Sequence, residues 1–483
     1  MARTTHGDLV VVVPGILGST LYRGDHQIWG YRQALTGLMT GLRRLTDRLT
    51  TDLSLPVEAF DHPEDGILDG VTARAPLTTQ GIVPGLVTID GYDDLLTNLR
   101  VRFHDDLADD PGTLVAFPYD WRQSNEYTAR RLQAHVEPLL HRRRQRYPDA
   151  RIVFVAHSMG GLVARYYAHV LDEKHLTRRI VTIGTPYQGA VKALAVLANG
   201  QATLGPFTVA LGDLTRSLPS VAELLPVYPC LGPTPDARTP PATTPHALTP
   251  LATTPVPGLP DTALRRCLTF HRRLTRAIAD HPDRRPAYHA LLSHRQATDV
   301  WASLHTAAPG GPGPDDGTNV VTHRPSDFAD RGDGTVPRRS ATPPEWDDDA
   351  AALFLAGTHG ALQQATETYR QLAGILTAAP RPRAAVLDEV AADLPELTAP
   401  GRPWTAAATS VEGSDRLVLT LTVTDPATGA TVLERPLRPA GNAAYTTEVT
   451  LTEPGLYRWT IRTPPTAATP VDPVSDLVLN IHE

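Results

Sequence analysis

The sequence predicts an α/β protein: a doubly wound, mostly parallel sheet with two cap insertions, followed by a small all-β sandwich. Three observations predict it. Unbroken apolar runs alternate with helical patterns up to about residue 376. A serine sits at a junction where a strand pattern turns directly into a helix pattern. Beyond about residue 403 the pattern becomes short alternating runs separated by turn residues.

The first element is 8–13, an apolar run closed by Pro14-Gly15. A run without polar alternation suits a strand buried on both faces, as in a parallel sheet. The same pattern recurs at 113–117, 151–156, 179–183, 287–292 and 352–356. Helical spacing predicts helices at 92–103, 126–146, 161–174, 190–197 and 362–376. Two insertions interrupt this alternation. In the first, about 21–86, Tyr31, Leu35, Leu38, Met39, Leu42, Leu45 and Leu49 recur at helical spacing. The second, about 194–285, holds eleven prolines between Pro226 and Pro260, which predicts an irregular cap loop. The expected division is therefore a domain at 1–376, an Ala/Pro-rich linker at 377–403 and a β-sandwich at 404–483. Within the last, Glu453-Pro-Gly-Leu-Tyr457 resembles the tyrosine-corner turn of immunoglobulin-like sandwiches.

Composition narrows the function. With 45 Lys+Arg against 52 Asp+Glu, the 483-residue chain carries a net charge of −7. That argues against nucleic acid as a partner and against attraction to an anionic membrane by bulk charge. Cys230 and Cys267 are the only cysteines, which excludes a disulfide scaffold and a cysteine metal centre and leaves open whether the two are bonded. No apolar leader precedes 8–13, and no stretch reaches the roughly 18 apolar residues of a spanning helix. The expectation is a cytoplasmic protein.

The strongest chemical signal is Ala156-His-Ser-Met-Gly-Gly161, between the 151–156 strand and the helix that follows. Small residues around Ser158 permit the tight nucleophile elbow that lifts a serine Oγ above a sheet. Serine is not basic enough to act alone and needs a histidine oriented by a carboxylate. His359 follows the last strand pattern, in Gly357-Thr-His-Gly360. For the carboxylate, Asp333 in a glycine-flanked loop competes with Asp330 and with Asp347, Asp348 and Asp349. Acyl transfer also needs two backbone N–H donors for an oxyanion. Met159, after the serine, supplies one, and Ile16 in Pro14-Gly-Ile-Leu-Gly18 is placed for the other.

Val12-Val-Pro-Gly-Ile-Leu-Gly18, Phe117-Pro-Tyr-Asp-Trp-Arg122, Ala156-His-Ser-Met-Gly-Gly161, Gly184-Thr-Pro-Tyr-Gln-Gly189, Gly332-Asp-Gly-Thr-Val336 and Thr358-His-Gly360 occur in that order. Together they resemble the lecithin:cholesterol acyltransferase family of α/β-hydrolases, in its bacterial esterase/lipase branch, over about residues 8–376. The resemblance implies Ser158 as nucleophile, Asp333 as triad acid and His359 as base, with the Ile16 and Met159 amides at the oxyanion. It implies Leu17, Trp121 and Tyr187 as substrate-binding residues, lipid acyl esters as substrates, and neither metal nor cofactor; the alternative for Trp121 is a place in the core, with Asp120 and Arg122 bracing loops. The expected activity is a serine esterase or lipase of phospholipase A type. The alternatives are an O-acyltransferase using an alcohol acceptor, or an intracellular phospholipase effector regulated by a protein partner. Transient contact with a membrane surface and a protein partner docked on the sandwich are the further expectations.

Overall fold

The computed structural model describes residues 7–30, 42–78, 81–83, 87–103, 113–204, 207–234, 248–282, 285–306, 318–325, 327–328, 331–346, 351–377, 389–464, 467 and 469–482. Tyr31, Leu35, Leu38 and Met39 of the first insertion lie outside them, as do Asp330 and Asp347–349 and much of the proline-rich loop.

The centre is a six-stranded sheet in the order Leu353–Leu355, Ala287–Ser293, Thr177–Ile183, Ile152–His157, Leu9–Val13, Leu114–Ala116. Every pairing in it is parallel. The six apolar runs are its six strands, and Leu9–Val13 is buried along its whole length. Helices Asp93–Phe103, Asn125–Arg144, Gly160–Tyr166, Val191–Asn199 and Thr366–Thr377 follow the strands. This is the α/β-hydrolase arrangement. After Leu9–Val13 the chain runs to one edge and then returns to the other side of that strand. Such a switch point opens a crevice at the carboxyl ends of the two strands beside it. The loops after Leu9–Val13 and Ile152–His157 meet there. The helix expected to reach residue 174 keeps α geometry only to Tyr166 and widens into a π turn at Tyr167–Leu171. Asp172 stops it: its carboxylate accepts the amides of Leu176 and Thr177 at 2.7 and 2.8 Å.

The C-terminal part is an all-β module whose eight strands are antiparallel except for Leu397–Thr398, which runs parallel to Val474–Asn480. Its long strand Thr431–Gly441 pairs first with Leu419–Thr424 and then with Ala444–Val449, joining two halves over their own core of Leu421, Tyr445, Trp459 and neighbours. Tyr457 Oη donates to the Glu453 carbonyl at 2.9 Å. Within the span read as linker, Val390–Asp393 and Leu397–Thr398 are strands of this module. Leu397, Leu479 and Ile481 also belong to the main core of the parallel-sheet part. Ion pairs Arg295–Glu389, Arg324–Asp393, Lys192–Glu396 and Arg458–Asp90 join the two parts. Cys230 and Cys267 are free and buried. Among the described residues no helix is long and apolar enough to cross a membrane.

Candidate active site

Ser158 ends the strand Ile152–His157 at φ +52°, a left-handed conformation that a β-carbon disfavours. The turn survives because its surroundings hold it. The Ser158 amide donates to the Ile183 carbonyl at 2.8 Å, and its carbonyl accepts the Thr185 hydroxyl at 3.0 Å and the Gly161 amide at 3.0 Å. Gly160 has no room for a side chain: a β-carbon there would sit 2.3 Å from the Pro14 oxygen and 2.4 Å from that of Val13. The backbone after Leu9–Val13 thus presses directly on the elbow. At Gly15 a β-carbon would meet the Ser158 β-carbon at 2.8 Å. That contact puts the loop of Gly15 and Ile16 directly against Ser158, which Met159 follows in the chain.

The Ser158 hydroxyl donates to His359 Nε2 at 2.8 Å, and His359 Nδ1–H donates to Asp333 Oδ2 at 2.7 Å. The other oxygen of Asp333 accepts the Thr335 and Val336 amides at 3.0 and 2.7 Å, so the carboxylate is fixed before it meets the imidazole. The His359 amide donates to the Asp333 carbonyl at 2.8 Å, tying the two loops together. The three side chains are almost wholly buried. The arrangement fixes the imidazole tautomer with its basic nitrogen toward the serine, which is what general-base activation of a nucleophile needs.

His157 adds a second chain of bonds. The Gly15 amide donates to Tyr92 Oη at 2.8 Å, Tyr92 O–H donates to His157 Nδ1 at 2.7 Å, and His157 Nε2–H donates to the His359 carbonyl at 3.1 Å. Burial, together with the neighbouring His359, pushes the His157 imidazole down to about 3, so it is neutral and keeps this polarity. Neither the role of Tyr92 nor this network was visible in sequence, because the three partners lie far apart along the chain.

A cavity of about 40 Å³ opens on Ser158 and His359, lined by Ile16, Pro186, Ala190, Lys192, Ala193, Leu224, Thr335 and Val336. Lys192, one of two lysines in the chain, is a lining residue that the sequence reading missed; its rarity was the available signal. Its ammonium pairs with Glu396 at 2.7 Å.

The three residues expected to bind substrate have their polar groups and rings engaged elsewhere. Trp121 is buried edge-on to Trp29, and its indole N–H donates to the Ser19 carbonyl at 3.2 Å. Leu17 is buried at φ +62°, with its carbonyl accepting the Trp29 indole N–H at 2.8 Å. Tyr187 is buried under the Arg165 guanidinium, with its hydroxyl bonded to that of Thr182 at 2.7 Å. In the same motif as Trp121, Arg122 forms two-pronged pairs with Asp69 and Asp120, and Tyr119 Oη donates to the Pro14 carbonyl at 2.8 Å. The motif braces the loop that carries Ile16.

Residues 108–238 match the family model described as lecithin:cholesterol acyltransferase, which bears out over that segment the resemblance read from the motifs. Over 167 residues the chain is 34% identical to the uncharacterized protein YJR098C of Saccharomyces cerevisiae, covering 33% of this chain and 24% of that protein. Over 171 residues it is 31% identical to the lysosomal phospholipase A and acyltransferase of Homo sapiens, covering 33% of this chain and 40% of that one. The chain thus spans between a quarter and two fifths of the length of these curated relatives. Among solved structures, the lipase BlEst2 of Bacillus licheniformis in propeptide form aligns at a TM-score of 0.32 and 11% identity, over 99% of this chain and 94% of that one. The lin2722 gene product of Listeria innocua aligns at a TM-score of 0.29 and 11% identity, over 78% and 96%.

Proposed function

We propose that the protein is a serine esterase or lipase that cleaves lipid acyl esters through an acyl-enzyme. The observation that carries this reading is the hydrogen-bonded chain Ser158–His359–Asp333 at a strained elbow. Ser158 Oγ attacks the ester carbonyl while His359 Nε2 takes its proton. Asp333 stabilises the imidazolium. The Ile16 and Met159 amides receive the oxyanion. The C–O bond then breaks, His359 returns the proton to the leaving alcohol or lysolipid, and acyl-Ser158 remains. Water, deprotonated by His359, releases the acid.

The cavity of about 40 Å³ is far below the roughly 300–1,000 Å³ of ordinary ligand pockets. It accommodates a short acyl group, and a long chain requires the wall formed by Ala190, Ala193 and Leu224 to move. Lys192 lines the same cavity with its ammonium paired to Glu396. A second reading changes only the last step: an alcohol replaces water on acyl-Ser158, giving an O-acyltransferase. The family match over residues 108–238 favours keeping it.

The test is incubation with phospholipids, glycerides and short-chain esters, with and without added alcohols, and identification of the products by mass spectrometry. Free acid from the wild-type chain, absent with Ser158→Ala, supports the hydrolase, and an acylated alcohol moves the assignment to transfer. Turnover undiminished in Ser158→Ala would refute the acyl-enzyme.

A further inference from the structure

The loop that carries His359 is fastened residue by residue. The His359 backbone is held at both ends, by Asp333 and by His157. The Gly360 carbonyl accepts the Asp90 amide at 2.9 Å and the Gln363 side-chain amide at 2.8 Å. Two of the fasteners lead out of the parallel-sheet part. The Thr358 hydroxyl, next to His359, donates to the Ser475 carbonyl at 2.6 Å, on the strand Val474–Asn480. The Asp90 carboxylate accepts from the Arg458 guanidinium, on the strand Gly455–Arg462. Thr358 and Asp90 are both buried.

We propose that the C-terminal β module is a working part of the catalytic apparatus: through Ser475 on Thr358 and Arg458 on Asp90, it positions the His359 loop against Ser158. This rests on the serine-hydrolase reading above. Thr358 and Arg458 are positioning residues, since neither touches a reacting atom. Their contacts are not what docks the module. Docking has its own supports in the shared core of Leu397, Leu479 and Ile481 and in the Arg324–Asp393 and Arg295–Glu389 pairs. A lost hydroxyl at Thr358 therefore leaves the module in place and frees the loop. Reacting groups must sit within a fraction of an ångström of their working geometry, and a displacement of about 1 Å costs on the order of a hundredfold in rate.

The experiment uses the full-length chain and a fluorophosphonate probe that phosphonylates an activated serine, with the rate counted per folded molecule from melting curves. Steady-state kinetics on a short-chain ester run beside it. Thr358→Val and Arg458→Met are each expected to slow labelling and kcat by roughly tenfold, the scale of one lost hydrogen bond, with KM little changed. Thr358→Ser restores the donor and the rate. Arg324→Met, which breaks the docking pair with Asp393 but none of the loop's fasteners, labels at the wild-type rate. Wild-type rates in both Thr358→Val and Arg458→Met would overturn the proposal. So would an Arg324→Met loss as large as theirs, because the effect would then come from docking in general. Wild type labelling no faster than Ser158→Ala would instead remove the serine-hydrolase reading, and this proposal with it.

Discussion

At Asp333 two backbone amides occupy one carboxylate oxygen and leave the other for His359. Asp333→Asn keeps the shape but presents an amide to the imidazole, which favours the wrong tautomer. A fall in kcat of three to four orders of magnitude is expected, on the scale found for the same change in other triads, and a fall under tenfold in a stopped assay would argue against its role. His157 and His271 are buried and pushed down to about 3 and about 4, chiefly by desolvation. An unfolded chain binds protons at these sites near pH 6.5, where the folded chain does not. Their contribution to stability is thus complete above about pH 6.5 and drains away as the pH falls toward 4. Melting temperatures between pH 7.5 and 4.5 should decline, and more shallowly in His157→Gln; an unchanged slope would show that His157 is not the buried neutral group described. Ser158 and His359 were legible in sequence because each follows a recognisable strand, whereas Asp333 was singled out from Asp330 and Asp347–349 only by the family resemblance. The side-chain directions of Leu17, Trp121 and Tyr187 were not legible, because a motif gives a residue's position along a loop and not where its side chain turns. The Trp121 indole turns inward to the Ser19 carbonyl.

Among the elements, the elbow depends on how closely two loops approach. Gly160→Ala would drive a β-carbon into two backbone oxygens that cannot move aside, and a loss of about 2–3 kcal/mol or more is expected, read from denaturant midpoints. A midpoint within experimental error of wild type would show that the loop after Leu9–Val13 can retreat. The six parallel strands were legible because burial on both faces leaves unbroken apolar runs. Val390–Asp393 and Leu397–Thr398 were not, since four and two residues are too few to show alternation and their Ala/Pro-rich surroundings read as linker. Their partners, Trp404–Ser410 and Val474–Asn480, make them strands. Trp404–Ser410 itself buries Ala406, Ala408 and Ser410, whose small side chains give a weak periodic signal.

Over the whole molecule, one apolar core extends from Leu9–Val13 to Leu397, Leu479 and Ile481, and among the described residues five ion pairs, Arg295–Glu412 included, cross the same boundary. Two parts joined this way are expected to unfold together. Calorimetry should show a single transition with calorimetric and van't Hoff enthalpies in agreement, persisting at about 0.5 M salt, where exposed ion pairs are screened. Two resolved transitions would mean that the shared core contributes little. The buried thiols have a different consequence. Burial raises Cys230 to about 12 and Cys267 higher still, so neither offers a thiolate near neutral pH. The native fold is in effect a cysteine-free background for maleimide chemistry. Cysteines introduced at the exposed positions Leu68 and Val432, one on each part, would take a donor and an acceptor dye without side labelling. Energy transfer between them would then follow the approach of the two parts in solution, molecule by molecule, with and without an added ester.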